Sequence, residues 1–146
     1  MSAYPLRLKS YRRVSYLPWA RYKYELTVDH YDDSGIRGFS ARLHGPDGRL
    51  YAELFPDGCL RICSGYQWDG CSGPTWDTAS TMRAGCIHDC LYQCMRMGLI
   101  PVVLRGLADG RFHVVLLEDG CWPPRAWYYY EAVDRFAERH ALPAIA

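Results

Sequence analysis

The sequence has almost no net charge: 17 Lys and Arg stand against 16 Asp and Glu, a formal +1. This balance excludes the broad basic excess by which general nucleic-acid binders neutralise phosphate, so no specific nucleic-acid partner is expected. There is no uninterrupted apolar run of the length a bilayer requires, and the first residues lack the apolar h-region of a secretory signal. The expectation is therefore a protein with no signal peptide and no transmembrane segment, made and kept in a cytoplasm or packaged from there. Internal repeats and low-complexity stretches are also missing, which excludes solenoids and disordered linkers. The seven cysteines are odd in number, and without a signal they do not read as a disulfide framework. Most of them read as reduced thiols packed as small apolar side chains. Cys86, Cys90 and Cys94 at helical spacing offer a zinc reading, although metal knuckles more often use closer pairs.

What is present suits one domain, because 146 residues with 49% hydrophobic side chains bury one sizeable core. Charge is unevenly placed. Arg7, Lys9, Arg12, Arg13, Arg21 and Lys23 precede the first acidic residue, Glu25, and they interleave with Tyr4, Tyr11, Tyr16, Trp19, Tyr22 and Tyr24. Residues 1–20 thus read as a cationic, aromatic arm ahead of a domain spanning 21–146. Such an arm suits docking on another protein, on anionic lipid or on nucleic acid, and docking within a larger assembly is the favoured reading.

The first half reads as β structure. Tyr22 to Val28 alternates in polarity, Gly38 to His44 leads through Gly45-Pro46-Asp47-Gly48 into Arg49 to Leu54, and Pro56-Asp57-Gly58 precedes Cys59 to Cys63. Three or four short antiparallel strands are predicted, followed by a loop over residues 65–74. The period then changes. A helix capped near Thr78 or Ser80 is predicted to run to about Met97, with Ala84, Ile87, Leu91 and Met95 on one face. Pro101 opens a second helix, in which Arg105, Asp109, Phe112 and Leu116 share a face and Gly110 costs about 1 kcal/mol relative to alanine. A third starts near Pro124 and stops at Pro143, with Tyr129, Val133 and Phe136 aligned. A small antiparallel sheet followed by helices is an α+β fold.

The run AGCIHDCLY, residues 84–92, places His88 and Asp89 among apolar side chains, where titratable groups are costly unless satisfied. A short turn joins the first two helices, so they pack antiparallel, and His88 and Asp109 lie about equally far from that turn. A carboxylate accepting the Nδ1 proton of the imidazole would fix its tautomer and raise the basicity of the other nitrogen, making a general base with its orienter. Asp89, about 100° around the helix, points toward the 68–74 loop. With Asp69 and the Gly70 carbonyl it forms an all-oxygen set suited to calcium.

The residues DGCSGP, HDCLY and RGLADGRF resemble the core of the bacterial and fungal type of phospholipase A2 over roughly residues 66–116. That resemblance implies a phospholipase A2-like helical hairpin with His88 as base, Asp109 as its partner, Tyr92 as a supporting hydrogen-bond donor, and Asp89, Asp69 and Gly70 as calcium ligands. In those enzymes a cysteine three residues before the histidine pairs with the loop cysteine, whereas Cys86 stands two residues before His88. Over more of the chain the sequence is similar to a family of small tailed-phage and prophage proteins. Their G-x-x-x-D-G-x-S-x-P, H-D-x-L-Y and R-x-x-A-D-x-x-F motifs fit Gly65 to Pro74, His88 to Tyr92 and Arg105 to Phe112. This second resemblance implies a location in the host cytoplasm and then the virion.

Two functions of different class follow. One is a calcium-dependent lipid ester hydrolase used in phage entry or lysis, acting at a phospholipid membrane. The other is a non-enzymatic tail or tail-tip component that binds other virion proteins through the arm and the segment Trp122 to Tyr130, with the His/Asp network fastening two helices. A metal-dependent phosphohydrolase completed by His44 or His113 is a third reading.

Overall fold

Seven short strands precede three helices in the computed structural model, which describes residues 8, 11–15, 22–68 and 79–136. The architecture is α+β, strands first and helices second, as the change of period predicts. The strands β1 (Tyr11–Arg13), β2 (Tyr24–Leu26) and β7 (Gln67–Trp68) form one antiparallel sheet in the order β1-β2-β7. The strands β3 (His30–Asp33), β4 (Ala41–His44), β5 (Leu50–Leu54) and β6 (Cys59–Ile62) form a second, in the order β3-β6-β5-β4. Alternation builds the second sheet. Leu43, Ala52, Leu54, Leu60 and Ile62 are buried in the core cluster that the helices share, while Arg42, Glu53 and Arg61 lie in register on its other face. Both predicted turns are present. Asp47 and Asp57 each accept the backbone N–H two residues on, at 3.0 and 2.9 Å, and Gly48 and Gly58 adopt the positive φ these turns need.

The strand count departs from the sequence reading in three places. The β1 strand lies inside the stretch read as an arm, where Tyr11 pairs with Leu26 and Arg12 with Glu25. Leu8 is buried in the core. Of the cations there, Arg12 is ion-paired to Glu25 and Arg13 lies over the Tyr24 ring, so this part of the arm belongs to the domain. The β7 strand opens the stretch read as a loop, and Trp68 is fully buried within it. The β3 strand, HYDD, carries no apolar alternation, yet its inward positions His30 and Asp32 are buried.

The helix α1 (Met82–Arg96) starts after Thr81, whose carbonyl accepts the Gly85 N–H at 2.9 Å; of the two caps expected, Ser80 lies just outside the helix and Thr78 beyond the described residues. Almost every side chain of α1 is buried, and only Asp89, Gln93 and Arg96, at i, i+4 and i+7, line a half-open stripe. Gly98, at φ 72°, ends it. Pro101 opens a 3₁₀ turn, Val102–Leu104, before α2 (Arg105–Glu118), and α3 follows as Pro123–Phe136. Side-chain pairs between α1 and α2 run in opposite senses, Arg83 with Asp119 and Tyr92 with Asp109, so the hairpin is antiparallel as predicted. Tyr129 and Val133 of α3 are buried as expected; the Phe136 side chain and Pro143 lie outside the described residues.

One buried ionic network joins the second sheet to this hairpin. Arg83 is 0% exposed and grips Asp32 of β3 bidentately, with Nε donating to Oδ2 at 2.5 Å and Nη2 to Oδ1 at 2.9 Å, while Nη1 donates to Asp119 at the end of α2 at 2.8 Å. His30 Nε2 lies 2.8 Å from Asp32 Oδ2, and Arg111 of α2 donates to the Asp33 carbonyl at 2.8 Å. Burial raises the Asp32 pKa, but the His30 and Arg83 hydrogen bonds more than offset this and hold it at about 2. At Asp119 burial wins over Arg83, with Asp32 and Glu118 adding repulsion, and the carboxyl is pushed up to about 6.

Asp32→Asn leaves Arg83 buried without its main counter-charge and is expected to lower the unfolding free energy by about 3–5 kcal/mol in urea denaturation. Asp119 binds its proton more tightly folded than unfolded, so its contribution to stability falls as pH rises from 3.8 to about 6. Urea midpoints across that window should therefore drop less steeply in Asp119→Asn than in the parent; parallel curves would refute this.

Candidate functional site

The hairpin brings together three of the residues singled out in the sequence. His88, on the α2-facing side of α1, places Nε2 2.7 Å from Oδ1 of Asp109. Tyr92, one turn further along, donates its hydroxyl to the same oxygen at 2.6 Å. Arg105, one turn before Asp109, donates Nη1–H to Oδ2 at 3.2 Å and to the Asp134 carbonyl of α3 at 3.0 Å. Asp109 is 0% exposed and His88 4%. The imidazole is held between the rings of Tyr92 and Phe112, at centroid distances of 4.1 and 5.0 Å.

The electrostatics follow from this enclosure. Burial alone would raise the Asp109 pKa, but the hydrogen bonds from His88 and Tyr92 and the Arg105 charge outweigh it, so the carboxyl is held below its ordinary value and is anionic at neutral pH. Burial and the Asp109 charge push the Tyr92 phenol up, which keeps it a proton-bearing donor.

The ring nitrogen differs from the one expected. A side chain reaching from one helix to the next presents its distal atom, so Nε2 rather than Nδ1 meets the carboxylate. Nδ1 is then the nitrogen left for a reacting proton, and it makes no hydrogen bond among the described residues.

The calcium set is only partly in view. Asp89 is a half-buried carboxylate on α1, and its charge, after burial, raises the pKa values of Tyr66 and Cys86. One turn further along the same stripe of α1, Gln93 accepts the hydroxyl of Tyr66, the residue just before β7. Asp69 and Gly70 lie outside the described residues. Asp89 has the hard oxygen chemistry that suits calcium, yet among the described residues no group of three His, Cys, Asp or Glu is placed to hold a metal. His44 is exposed at the end of β4, and His113 stacks on Tyr130 at 5.2 Å, so neither joins His88. Cys86, Cys90 and Cys94 are buried free thiols.

Sequence reasoning passed over Arg83, Asp32, His30 and Asp119. A usable signal was present: Arg83 is the one charged residue between Met82 and Ile87, on a face otherwise apolar, and a cation there demands carboxylates.

Tyr92→Phe removes one donor from the buried Asp109 and is expected to cost about 1.5–3 kcal/mol in urea denaturation. It should also move the Asp109 titration, followed by carboxyl NMR, upward. Because the folded pKa is depressed, the stability that Asp109 contributes is present above 3.8 and is lost as pH falls through its folded value. In Tyr92→Phe that loss should begin at higher pH. Comparison of the chain with protein-family models, with curated proteins and with solved structures gives no match.

Proposed function

We propose that this chain is a phage- or prophage-encoded hydrolase of lipid esters, used in entry or lysis, with His88 as its general base. The observation that supports this most is the single buried carboxylate oxygen of Asp109 that binds both His88 Nε2 and the Tyr92 hydroxyl. Such an arrangement orients the imidazole and leaves Nδ1 for a water. In the proposed reaction Nδ1 takes a proton from water as the water oxygen attacks the ester carbonyl carbon. Asp109 stabilises the imidazolium that results, and Nδ1–H returns the proton to the departing alkoxide as the C–O bond breaks. Tyr92 and Arg105 keep the carboxylate in place throughout. Asp89, with Asp69 and the Gly70 carbonyl, would hold a calcium ion, whose chemistry when bound is polarisation of the ester carbonyl.

The test is fatty-acid release from mixed anionic phospholipid vesicles, with calcium or with chelator. Calcium-dependent release that falls by at least about a hundredfold in His88→Ala, with the thermal midpoint nearly unchanged, is the expected result. No release from folded protein under any condition would overturn it.

One observation favours a second reading, a structural protein of the particle. Trp122, Trp127 and Tyr128 of the α3 region are 71%, 54% and 45% exposed, an aromatic surface of the kind that docks on protein neighbours. On that reading Trp127→Ser with Tyr128→Ser leaves a folded domain that no longer enters phage particles, whereas His88→Ala enters normally.

A further inference from the structure

A cleft of about 390 Å³ opens where the two sheets meet the C-terminal half of α1. Tyr22, just ahead of β2, and Gln67 of β7 border it on one side, His44, Pro46 and Tyr51 from the β4–β5 hairpin, and Gln93 from the half-open stripe of α1. Gln93 is five residues beyond His88, about 140° around the helix, so the cleft lies on a different face of α1 from the His88 site. Its volume is that of small-molecule sites, which form preferentially at such junctions.

The lining decides what fits. Among the described residues that border it none is Asp, Glu, Lys or Arg, so the described lining suits a neutral ligand. The two amides are pre-set by their neighbours. Gln67 Nε2 donates to Glu25 at 3.1 Å, which leaves its carbonyl oxygen as an acceptor. Gln93 Oε1 accepts the buried Tyr66 hydroxyl at 3.1 Å, which leaves its NH₂ as a donor. Tyr51 is fixed as a wall: it meets Tyr66 edge to face, with ring centroids 6.0 Å apart, and it lies so close over Gly45 that a Cβ there would overlap the ring. Gly45 has no positive φ, so the ring is what requires glycine at this position. Aromatic walls that accept C–H faces, beside one neutral donor and one neutral acceptor, match a sugar ring, whose hydroxyls both donate and accept. An extended peptide is a poorer fit. The backbone of the hairpin at the cleft is already spent, with Gly45 N–H on the Arg49 carbonyl and the Gly45 carbonyl taken by Gly48, and Pro46 has no N–H.

We propose that the cleft between Tyr51, Gln67 and Gln93 binds a neutral saccharide. This is a binding function separate from hydrolysis at His88. The experiment titrates the full chain with maltotriose and with triacetylchitotriose while following the side-chain amide resonances of Gln67 and Gln93. A saturable shift of both with at least one sugar is expected. Gln67→Leu should weaken that binding by about tenfold or more, the loss of one hydrogen bond. Gly45→Ala, which displaces the Tyr51 wall, should weaken it similarly in protein that circular dichroism shows to be folded, and His88→Ala should leave it intact. No saturable shift with either sugar, a shift unchanged in both Gln67→Leu and Gly45→Ala, or a response confined to a proline-rich peptide would overturn the proposal.

Discussion

The structure turns on one buried guanidinium. Arg83 lies in the middle of the domain with no exposure, where an unpaired cation would cost several kcal/mol. Asp32 must therefore come to it from the sheet, and Asp119 from the far end of the α1–α2 hairpin. These demands set the rotation of α1 about its axis and its height against the second sheet. They also explain why an edge strand of that sheet carries a histidine and an aspartate on the face where its neighbours carry Leu60 and Ile62. The edge strand is held from inside by charge-assisted hydrogen bonds rather than by apolar packing alone.

The candidate site is the second polar rung of the same hairpin. Between α1 and α2, Arg83 with Asp119 makes one rung, and His88 and Tyr92 with Asp109 make the other. The residues of the two rungs are separated by five to nine positions on α1 and ten on α2, roughly 7–15 Å of helix. The spacings are compatible with two straight antiparallel helices, so one rung reinforces the register of the other. This is why His88 is pre-organised: its ring is enclosed by Tyr92 and Phe112, and its partner is held by Arg105, which also reaches α3. A site on rigid helices with its carboxylate satisfied three times over keeps its geometry without substrate. The remaining stripe of α1 faces elsewhere, and through Gln93 it contributes to the saccharide cleft.

Much of this was legible in the residues themselves. The 3.6-residue period of Ala84, Ile87, Leu91 and Met95 and the glycine at 98 place α1 closely, and the aspartate-glycine turns place three strands, because these signals are local. The pairing of His88 with Asp109 was legible too, since a short connection between two amphipathic helices leaves little freedom in how they align. The β3 strand was not. HYDD reads as a polar loop, and only the partner supplied by α1, fifty-one positions away, makes an inward Asp32 affordable. The β1 strand was hidden for a related reason, because the acidic partner of Arg12 stands in β2.

By itself, then, the sequence determined the element types of its second half, the turns of its first, the α+β order and the two helices that carry the His/Asp pair, all of which depend on periodicity and on contacts close along the chain. Tertiary structure alone decided which nitrogen of His88 meets Asp109, that the strands form two sheets, and that Arg83 is the hub between them. It also decided that Gln67 and Gln93 open onto one cleft. These depend on the direction in which a side chain crosses between elements and on charges that cancel only across long separations, and neither quantity is written in any single stretch of residues.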